Sequence, residues 1–315
     1  MANRITISCL SAHALRVPPS TPFQEVVDRT IESWDQRLQA VLPDRPDIIV
    51  LPEAMDRPYA PDLPTDWQRE YFQHRGSQVL DHLAEVARRE RCHITYSAQY
   101  AVGEEGFRNS TLILDRDGQV AGRYDKNFLV TAENTDLGLA YGQEPMVADL
   151  DFGRVGAAIC FDLNFTELLE AYRPLAPRLM VFNSEYHGGL MQGYWAYQLR
   201  SYFAGSIRPP APSTVVSPLG EVVASSTNYF DHVTTRANLD YEVVHLDSLF
   251  AKLAAMKAEY GPDLHIHDPG LLAPVLITSE SDDFTAAEAL KAHDVETLDA
   301  YLAGSRAHRA GIMQP

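Results

Sequence analysis

Three side chains that lie far apart along the chain have the types and settings needed to attack an amide-type carbon. Cys160 follows the apolar run Val155-Gly156-Ala157-Ala158-Ile159, and the polar segment Phe161-Asp162-Leu163-Asn164 comes directly after it. A thiol at the end of a buried strand, facing a turn, is placed like a nucleophile. Glu53 leaves a comparable run, Ile48-Ile49-Val50-Leu51-Pro52, and Lys126 closes Gly122-Arg123-Tyr124-Asp125. An amide carbonyl is a poor electrophile with a poor leaving group. Its hydrolysis needs a strong nucleophile, a base that later works as an acid, and charge at the developing oxyanion. Glu53, partly desolvated behind Pro52, is expected to have a raised pKa and to take the thiol proton, return it to the departing nitrogen and then activate a water. Lys126, helped by the backbone N–H of Phe161, is expected to hold the oxyanion. Singly, each residue has a plainer reading: a buried small hydrophobe, a solvated carboxylate, a surface lysine paired with Asp125. The combination points to chemistry.

The elements that must position these residues follow from hydrophobic spacing. Phe23, Val26, Val27, Ile31, Trp34, Leu38 and Val41 recur at helical intervals and predict a helix ending before Pro43, and Val79, Leu80, Leu83, Val86 and Ala87 predict a second. Ile48–Leu51, His93–Ala101 and Leu179–Phe182 read as buried strands, the last ending at Asn183. Asp115-Arg116-Asp117-Gly118 and Ser217-Pro218-Leu219-Gly220 mark hairpins, and Val233 to Leu239 reads as a last long strand. Helices alternating with short apolar strands indicate an α/β class, and the hairpins make the sheet mixed. Ligands in open α/β sheets collect beyond the carboxyl ends of strands, where Glu53, Cys160 and Asn183 all fall. From Thr285 the chain carries a capping-box pattern with Glu288 and a short amphipathic set, Val295, Leu298, Tyr301 and Leu302. The expected division is a main domain over 1–280 and a helical tail over 281–315 that packs on the body or on a neighbouring subunit.

Composition narrows the function classes. The 315 residues are 45% hydrophobic and 22% charged, as in an ordinary globular protein, and no apolar stretch approaches the length of a membrane-spanning helix. A formal charge of −17 disfavours nucleic acid, whose binding depends on Lys and Arg neutralising phosphates. Cys9, Cys92 and Cys160 are too few and too widely spaced for a disulfide framework or a zinc cluster. The N-terminus alternates apolar and polar residues like a strand, so a cytoplasmic protein with no metal or other cofactor is expected.

The order Glu, Lys, Cys and the segments Leu51-Pro52-Glu53, Gly122-Arg123-Tyr124-Asp125-Lys126 and Ile159-Cys160-Phe161-Asp162 resemble the nitrilase superfamily of carbon–nitrogen hydrolases. Ser217-Pro218-Leu219-Gly220-Glu221-Val222 resembles the hairpin that follows the catalytic region of that family. The resemblance implies a four-layer αββα sandwich, a thioester acyl-enzyme released by water, and pairing into a homodimer or larger homo-oligomer through the helices after the cysteine. It also implies a second glutamate orienting the lysine. Glu133 matches that position best, and Glu144 less well. Leu163 and Asn164 stand where carbamoyl amino acid hydrolases carry arginines, and Phe161-Asp162-Leu163-Asn164 does not match the surroundings of a nitrilase cysteine. A linear amide or an N-carbamoyl amine is therefore the expected small-molecule substrate, with a nitrile hydrolase or a catalytically silent oligomeric binding protein of the same fold as alternatives. Phe161, Asn164, Glu185, Tyr186 and His187 are expected to line the substrate pocket, Glu185 binding an amine or hydroxyl of the substrate.

Two further readings use other residues. A papain-like pairing would recruit His187 or His93 as base, but no local signature around Cys160 points to either. His265, His267 and Asp268 offer a metal-binding spacing, yet Pro262 and Pro269 bracket them as a loop.

Overall fold

The computed structural model describes residues 2–60, 63–101 and 106–313. It divides into two compact units, Thr6–Arg236 and, separately, Met1–Ile5 with Ala237–Pro315.

The larger unit is built on two six-stranded mixed sheets. One runs β12-β1-β2-β3-β4-β5, with β1 Arg4–Leu10, β2 Ile48–Val50, β3 His93–Ala101, β4 Phe107–Leu114, β5 Val120–Asp125 and β12 His232–Asn238. The other runs β11-β10-β9-β8-β7-β6, with β6 Val147–Leu150, β7 Gly153–Ile159, β8 Leu179–Ser184, β9 Tyr202–Ile207, β10 Thr214–Val216 and β11 Val222–Ser225. Helices α1 (Phe23–Leu38) and α3 (Gln78–Glu90) bury Val26, Val27, Trp34, Leu38, Leu83 and Val86 against Ile94, Tyr96, Ala98, Leu112 and Leu114 of the first sheet. Helices α5 (Thr166–Tyr172) and α6 (Leu190–Leu199) cover the second sheet with Tyr172 and Trp195. The layers are therefore helix, sheet, sheet, helix, as the resemblance implies.

The alternation in β3 looks like that of a half-exposed strand, but both faces are buried. Ile94, Tyr96 and Ala98 meet the helices, while Thr95, Ser97 and Gln99 turn inward between the sheets. Asn183 of β8 crosses that inner layer. Its Oδ1 accepts from Thr111 Oγ1 at 2.9 Å, and its Nδ2 donates to Thr95 Oγ1 at 3.1 Å and to the Leu51 carbonyl. One buried amide thus fixes the two sheets against each other just below Glu53. The two hairpins form as expected; in the second, Ser217 N donates to Glu221 O at 2.8 Å, and Gly220 takes a left-handed φ of 85° that a side chain would oppose.

In the smaller unit the chain forms a three-stranded antiparallel sheet, β13 (Tyr241–His245), β15 (Pro274–Ser279) and β14 (Leu264–His267), in that order. This corrects the expectation that Val233–Leu239 is the last strand. The missed strands are short apolar runs separated by the helix α7 (Phe250–Tyr260) and by a turn at Gly270, and periodicity cannot separate such runs from loop or helix. His265 and His267 accordingly stand on a strand rather than in a loop, and no cluster of metal-ligating side chains occurs among the described residues. Thr285 caps α8 (Ala286–Ala292) through the predicted box, Oγ1 accepting from Glu288 N at 3.1 Å and Glu288 Oε2 accepting from Thr285 N at 2.8 Å. In α9 (Leu298–Met313), Tyr301 donates to Asp247 at 2.8 Å and stacks on His245; residues 314 and 315 of the expected tail lie outside the described residues.

Candidate active site

Glu53, Lys126 and Cys160 come together at the ends of β2, β5 and β7. Lys126 Nζ donates to Glu53 Oε1 at 2.9 Å and to both oxygens of Glu133, at 3.1 and 2.8 Å. The Cys160 thiol lies within electrostatic reach of Glu53, Lys126 and Ser184, all of which act on its proton affinity. All three side chains are nearly closed to solvent, at 4% exposure for Glu53, 1% for Lys126 and 7% for Cys160.

Each is held by its element. Glu53 leaves β2 into a turn in which Ala54 takes a left-handed φ of 48°, a conformation that costs a non-glycine residue about 1–3 kcal/mol and needs outside support. Arg208 gives that support, its Nη2 donating to the carbonyls of Glu53 and Ala54, each at 3.0 Å. Glu53 Oε2 also accepts from the backbone N–H of Glu185 at 3.1 Å. Glu133 lies on α4 (Thr131–Thr135), and its Oε2 accepts from Val130 N at 2.8 Å, which turns the carboxylate back onto Lys126. Glu144 is exposed, and its carbonyl is what Asn127 Nδ2 holds, at 3.1 Å.

Asn109, on the inner face of β4, is a site residue that sequence reasoning missed. Its Nδ2 donates to Glu53 Oε1 at 2.8 Å and to Glu133 Oε1 at 3.0 Å, so one amide bridges both carboxylates that flank the lysine. Nothing in the local sequence marks it. Only its register, opposite Gln99 and one residue beyond the Ser110–Asp125 pair, brings it to Lys126, whose N–H donates to the Asn109 carbonyl at 2.8 Å. Beside it, Ser97 Oγ, both side-chain ends of Gln99 and Asn109 Oδ1 are buried with no hydrogen-bond partner among the described residues.

Cys160 also adopts a left-handed φ of 48°, at the junction of β7 and a short 3-10 turn. Asp162 holds that elbow: its Oδ2 accepts from Ile159 N at 2.9 Å and from Tyr124 OH at 2.7 Å, and its Oδ1 accepts from Phe128 N at 2.8 Å. Tyr124 stands two residues before Lys126, so this one hydroxyl ties the lysine strand to the cysteine turn.

The electrostatics correct one expectation. Burial pushes the Glu53 carboxyl up, but Lys126, Arg57 and the Asn109 hydrogen bond more than offset it, so its pKa lies below the ordinary carboxylate value rather than above it. Burial pulls Lys126 down, and the charges around it, Glu53 foremost, hold it well above the ordinary lysine range. Burial, with the Glu53 carboxylate adding to it, pushes the Cys160 thiol up to about 12. At neutral pH the site is a protonated thiol facing an ionised carboxylate, with an ammonium clamped between two acids.

The other expected pocket residues divide. Phe161 is partly exposed and packs edge-on to Phe165, and the exposed Asn164 donates to the Phe161 carbonyl at 2.9 Å, closing the turn locally. The Glu185 carboxylate is ion-paired with Arg57 and, at 3.1 Å, with Arg208, so its role at the site runs through its backbone N–H and these arginines. Tyr186 is 71% exposed at the mouth, and His187 accepts from Gly189 N at 3.2 Å. Arg57 and Arg208 were not foreseen; the chain separates them from each other by a distance no local motif spans.

Comparison with known proteins places this geometry in context. Residues 17–244 match the family model described as carbon-nitrogen hydrolase. The deaminated glutathione amidase of Yersinia enterocolitica is 25% identical over 140 residues, which cover 41% of this chain and 49% of that protein, about half its length. The chloroplastic omega-amidase of Arabidopsis thaliana is 24% identical over 268 residues, covering 74% of this chain and 72% of that one. Among solved structures, Saccharomyces cerevisiae Nit3, described as a member of branch 10 of the nitrilase superfamily, superposes with a TM-score of 0.62 at 19% identity, covering 75% of this chain and 90% of its own.

Proposed function

The chain belongs to the carbon–nitrogen hydrolase family and is an amide-hydrolysing enzyme, and we propose that it cleaves a linear amide through a thioester on Cys160, with Glu53 as base and then acid and Lys126 as oxyanion donor. The observation that carries this reading is the clamp itself. Lys126 is fixed between Glu53 and Glu133, and the same Glu53 and Lys126 act on the Cys160 thiol beside them.

With the thiol pKa at about 12, a free thiolate is rare, so the proton moves to Glu53 as sulfur attacks the carbonyl carbon. The carbonyl oxygen takes the negative charge and is met by the ammonium of Lys126 and the N–H of Phe161. Glu53 then protonates the nitrogen, the carbon–nitrogen bond breaks, and ammonia leaves behind a thioester. A water enters the vacated side and gives a proton to Glu53 as its oxygen attacks the thioester. The carbon–sulfur bond breaks, sulfur recovers a proton from Glu53, and the product leaves as a carboxylic acid that ionises in water. Glu133 and Asn109 do not exchange protons in this scheme; they hold the ammonium and the carboxylate in register.

Exposure to a panel of linear amides, carbamoyl amines and nitriles, with ammonia measured and the intact protein weighed, tests the reading. Ammonia release from amides, a mass increase equal to the acyl group, and loss of both in Cys160→Ala by more than about 10⁴-fold in rate are expected. Undiminished ammonia release by Cys160→Ala removes the assignment.

A further inference from the structure

Lys126 is gripped by two acids that are supported very unequally. Glu53 leaves a buried strand, and its turn is hydrogen bonded from several sides. Glu133 stands on α4, which has five residues, none of them buried. That is far below the roughly 12–15 residues an isolated helix needs in water. The bonds of the segment are mostly local: Leu139 N donates to the Glu133 carbonyl at 2.9 Å, Gly138 N to the Asn134 carbonyl at 3.0 Å, and Asn134 Nδ2 to the Leu139 carbonyl at 2.8 Å. They close the segment on itself without fixing where it stands. Beyond the site, it is tied to the body where Leu139 is buried and Ala140 N donates to the Phe107 carbonyl at 2.8 Å, and by Arg69.

Arg69 lies on α2 (Thr65–Arg75), and both its Nε and its Nη2 donate to the Leu137 carbonyl, at 3.2 and 2.9 Å. No carboxylate pairs with it among the described residues, so its directed donors are given to one neutral oxygen two residues beyond α4. The next residue, Gly138, takes a left-handed φ of 66°, and a Cβ there would lie 2.6 Å from Arg69 Nη2. A glycine thus leaves the space that the guanidinium fills. The base of this arm is firm. Tyr71 and Phe72 of α2 are buried in the core of the first sheet, and its last residue, the buried Arg75, donates to Asp56 Oδ2 at 2.8 Å and to the Gln99 carbonyl at 2.7 Å. Asp56 belongs to the turn that Glu53 begins, and Gln99 is the register partner of Asn109. One helix is therefore fixed at its end to the segments carrying Glu53 and Asn109, and reaches the Glu133 segment from its middle. The two arginines are about 9 Å apart along the helix axis, at 1.5 Å per residue.

We propose that Arg69 is a positioning residue: through the Leu137 carbonyl it sets Glu133, and so the Lys126 ammonium, at a separation from Glu53 that α2 fixes. It touches no reacting atom. Were Glu133 to draw back, the ammonium would settle on Glu53 alone, displacing the oxyanion donor and the base together, and small displacements of this kind cost turnover more than binding. The inference rests on the hydrolytic reading above, but one arm of its test reads the ammonium without turnover.

The chain has four lysines, Lys126, Lys252, Lys257 and Lys291, and only Lys126 is buried. In protein labelled with ¹⁵N-lysine its side-chain signal is identified by its absence from Lys126→Met. Arg69→Met keeps the apolar stem and removes the donors, Arg69→Lys returns one donor group, and Glu133→Ala removes what Arg69 positions. The Lys126 ammonium hydrogens are expected to exchange with water about tenfold faster or more in Arg69→Met than in the wild type, with Arg69→Lys between them. On a linear amide, kcat of Arg69→Met is expected to fall about tenfold with KM changed by less than about twofold. In a Glu133→Ala background, Arg69→Met is expected to add nothing to either loss, because the two act as one unit. An equal further loss in that background overturns the inference, since Arg69 then acts elsewhere, and leaves the hydrolytic reading standing. So does wild-type exchange in Arg69→Met, whatever its kcat. Should Arg69→Met fail to fold, the same cycle is read with Arg69→Lys, whose smaller effect must likewise vanish in Glu133→Ala. If no amide is turned over yet Arg69→Met and Glu133→Ala speed exchange alike and without addition, the positioning is supported and the hydrolytic reading falls.

Discussion

Two carboxylates lie within the same site, both almost wholly buried, and their surroundings drive them in opposite directions. Glu53 is held below the ordinary carboxylate range, whereas Asp162 is pushed up to about 7. Burial acts on both in the same sense, and both accept several hydrogen bonds. The difference is in the donors. Glu53 has an ammonium at 2.9 Å and a guanidinium nearby, while Asp162 is met by a phenol and two backbone N–H groups, all neutral. Neutral donors fix a carboxylate in place without restoring what water gave its charge; a cation in contact does both. The acid that must be ionised to receive a proton has the cation, and the acid that only shapes a turn does not.

The sharpest way to break this comparison is to remove the proton acceptor. Glu53→Gln keeps the size and much of the hydrogen bonding but cannot accept a proton, so kcat is expected to fall by about 10⁴-fold while binding of a linear amide changes little. Stopped-flow release of ammonia checks it, and near-normal turnover would mean that another group is the base. Next in size is Lys126→Met. Loss of an oxyanion donor is worth about 10²–10³-fold in kcat, and removing the cation leaves Glu53 and Glu133 facing each other with Arg57 as the remaining nearby counter-charge, a stability loss of about 3–5 kcal/mol. The comparison adds a pH signature. Without Lys126, Glu53 becomes more like Asp162, so the acid limb of the rate profile is expected to move to higher pH, and an unmoved limb would show that Lys126 does not set the Glu53 charge.

For Asp162 the pH dependence has the opposite sense to that of a salt-bridged acid. Its folded value near 7 lies above the ordinary 3.8, so the fold favours the protonated form. The stability this gives is complete below about pH 4 and is lost as pH rises to about 7. At 1.36 kcal/mol per pKa unit, the loss amounts to as much as about 4 kcal/mol. Asp162→Asn cannot titrate, and whatever its amide costs against the Ile159 and Phe128 N–H groups is the same at every pH. The stability of the wild type relative to Asp162→Asn is therefore expected to fall between pH 4 and 7, as read from denaturant midpoints. A constant difference across that range would place Asp162 with Glu53 and end the contrast.

These differences also explain what the sequence makes legible. Glu53 and Cys160 each end an apolar run, and Lys126 follows the second strand of a hairpin with a clear turn signal; such endings survive in one dimension because burial, turns and chain exit are local properties. Glu133 is within reach because it lies one short helix beyond Lys126. Asn109 sits in the middle of a strand, among residues that look like ordinary alternation, and only the pairing of β4 with β5 gives it a partner. Arg57 and Arg208 meet Glu185 from segments about 130 and 20 residues away along the chain. The raised pKa expected of Glu53 fails for the same reason: Pro52 and the apolar run reveal burial, but the counter-charges come from elsewhere. The α/β class was legible because helices and short strands alternate, the αββα layering only through the family resemblance, and the three-stranded sheet at the C-terminal end was not legible, because its strands are too short to show a period.

The smallest expected effect tests the contrast from its neutral side. Tyr124→Phe removes the phenol that donates to Asp162 at 2.7 Å and accepts from Asn127 N at 3.3 Å. Asp162 keeps two backbone donors and is about half protonated near pH 7, so a stability loss of about 1 kcal/mol is expected. Because the lost hydroxyl joins the Lys126 strand to the Cys160 turn, kcat is expected to fall by up to about tenfold with the pH profile unmoved, since Tyr124 contacts neither Glu53 nor the lysine ammonium. A loss in Tyr124→Phe as large as that in Lys126→Met, or a shifted acid limb, would mean that the elbow carries charge the catalysis depends on, and that neutral and cationic donors are not divided between the two acids as their hydrogen bonds suggest.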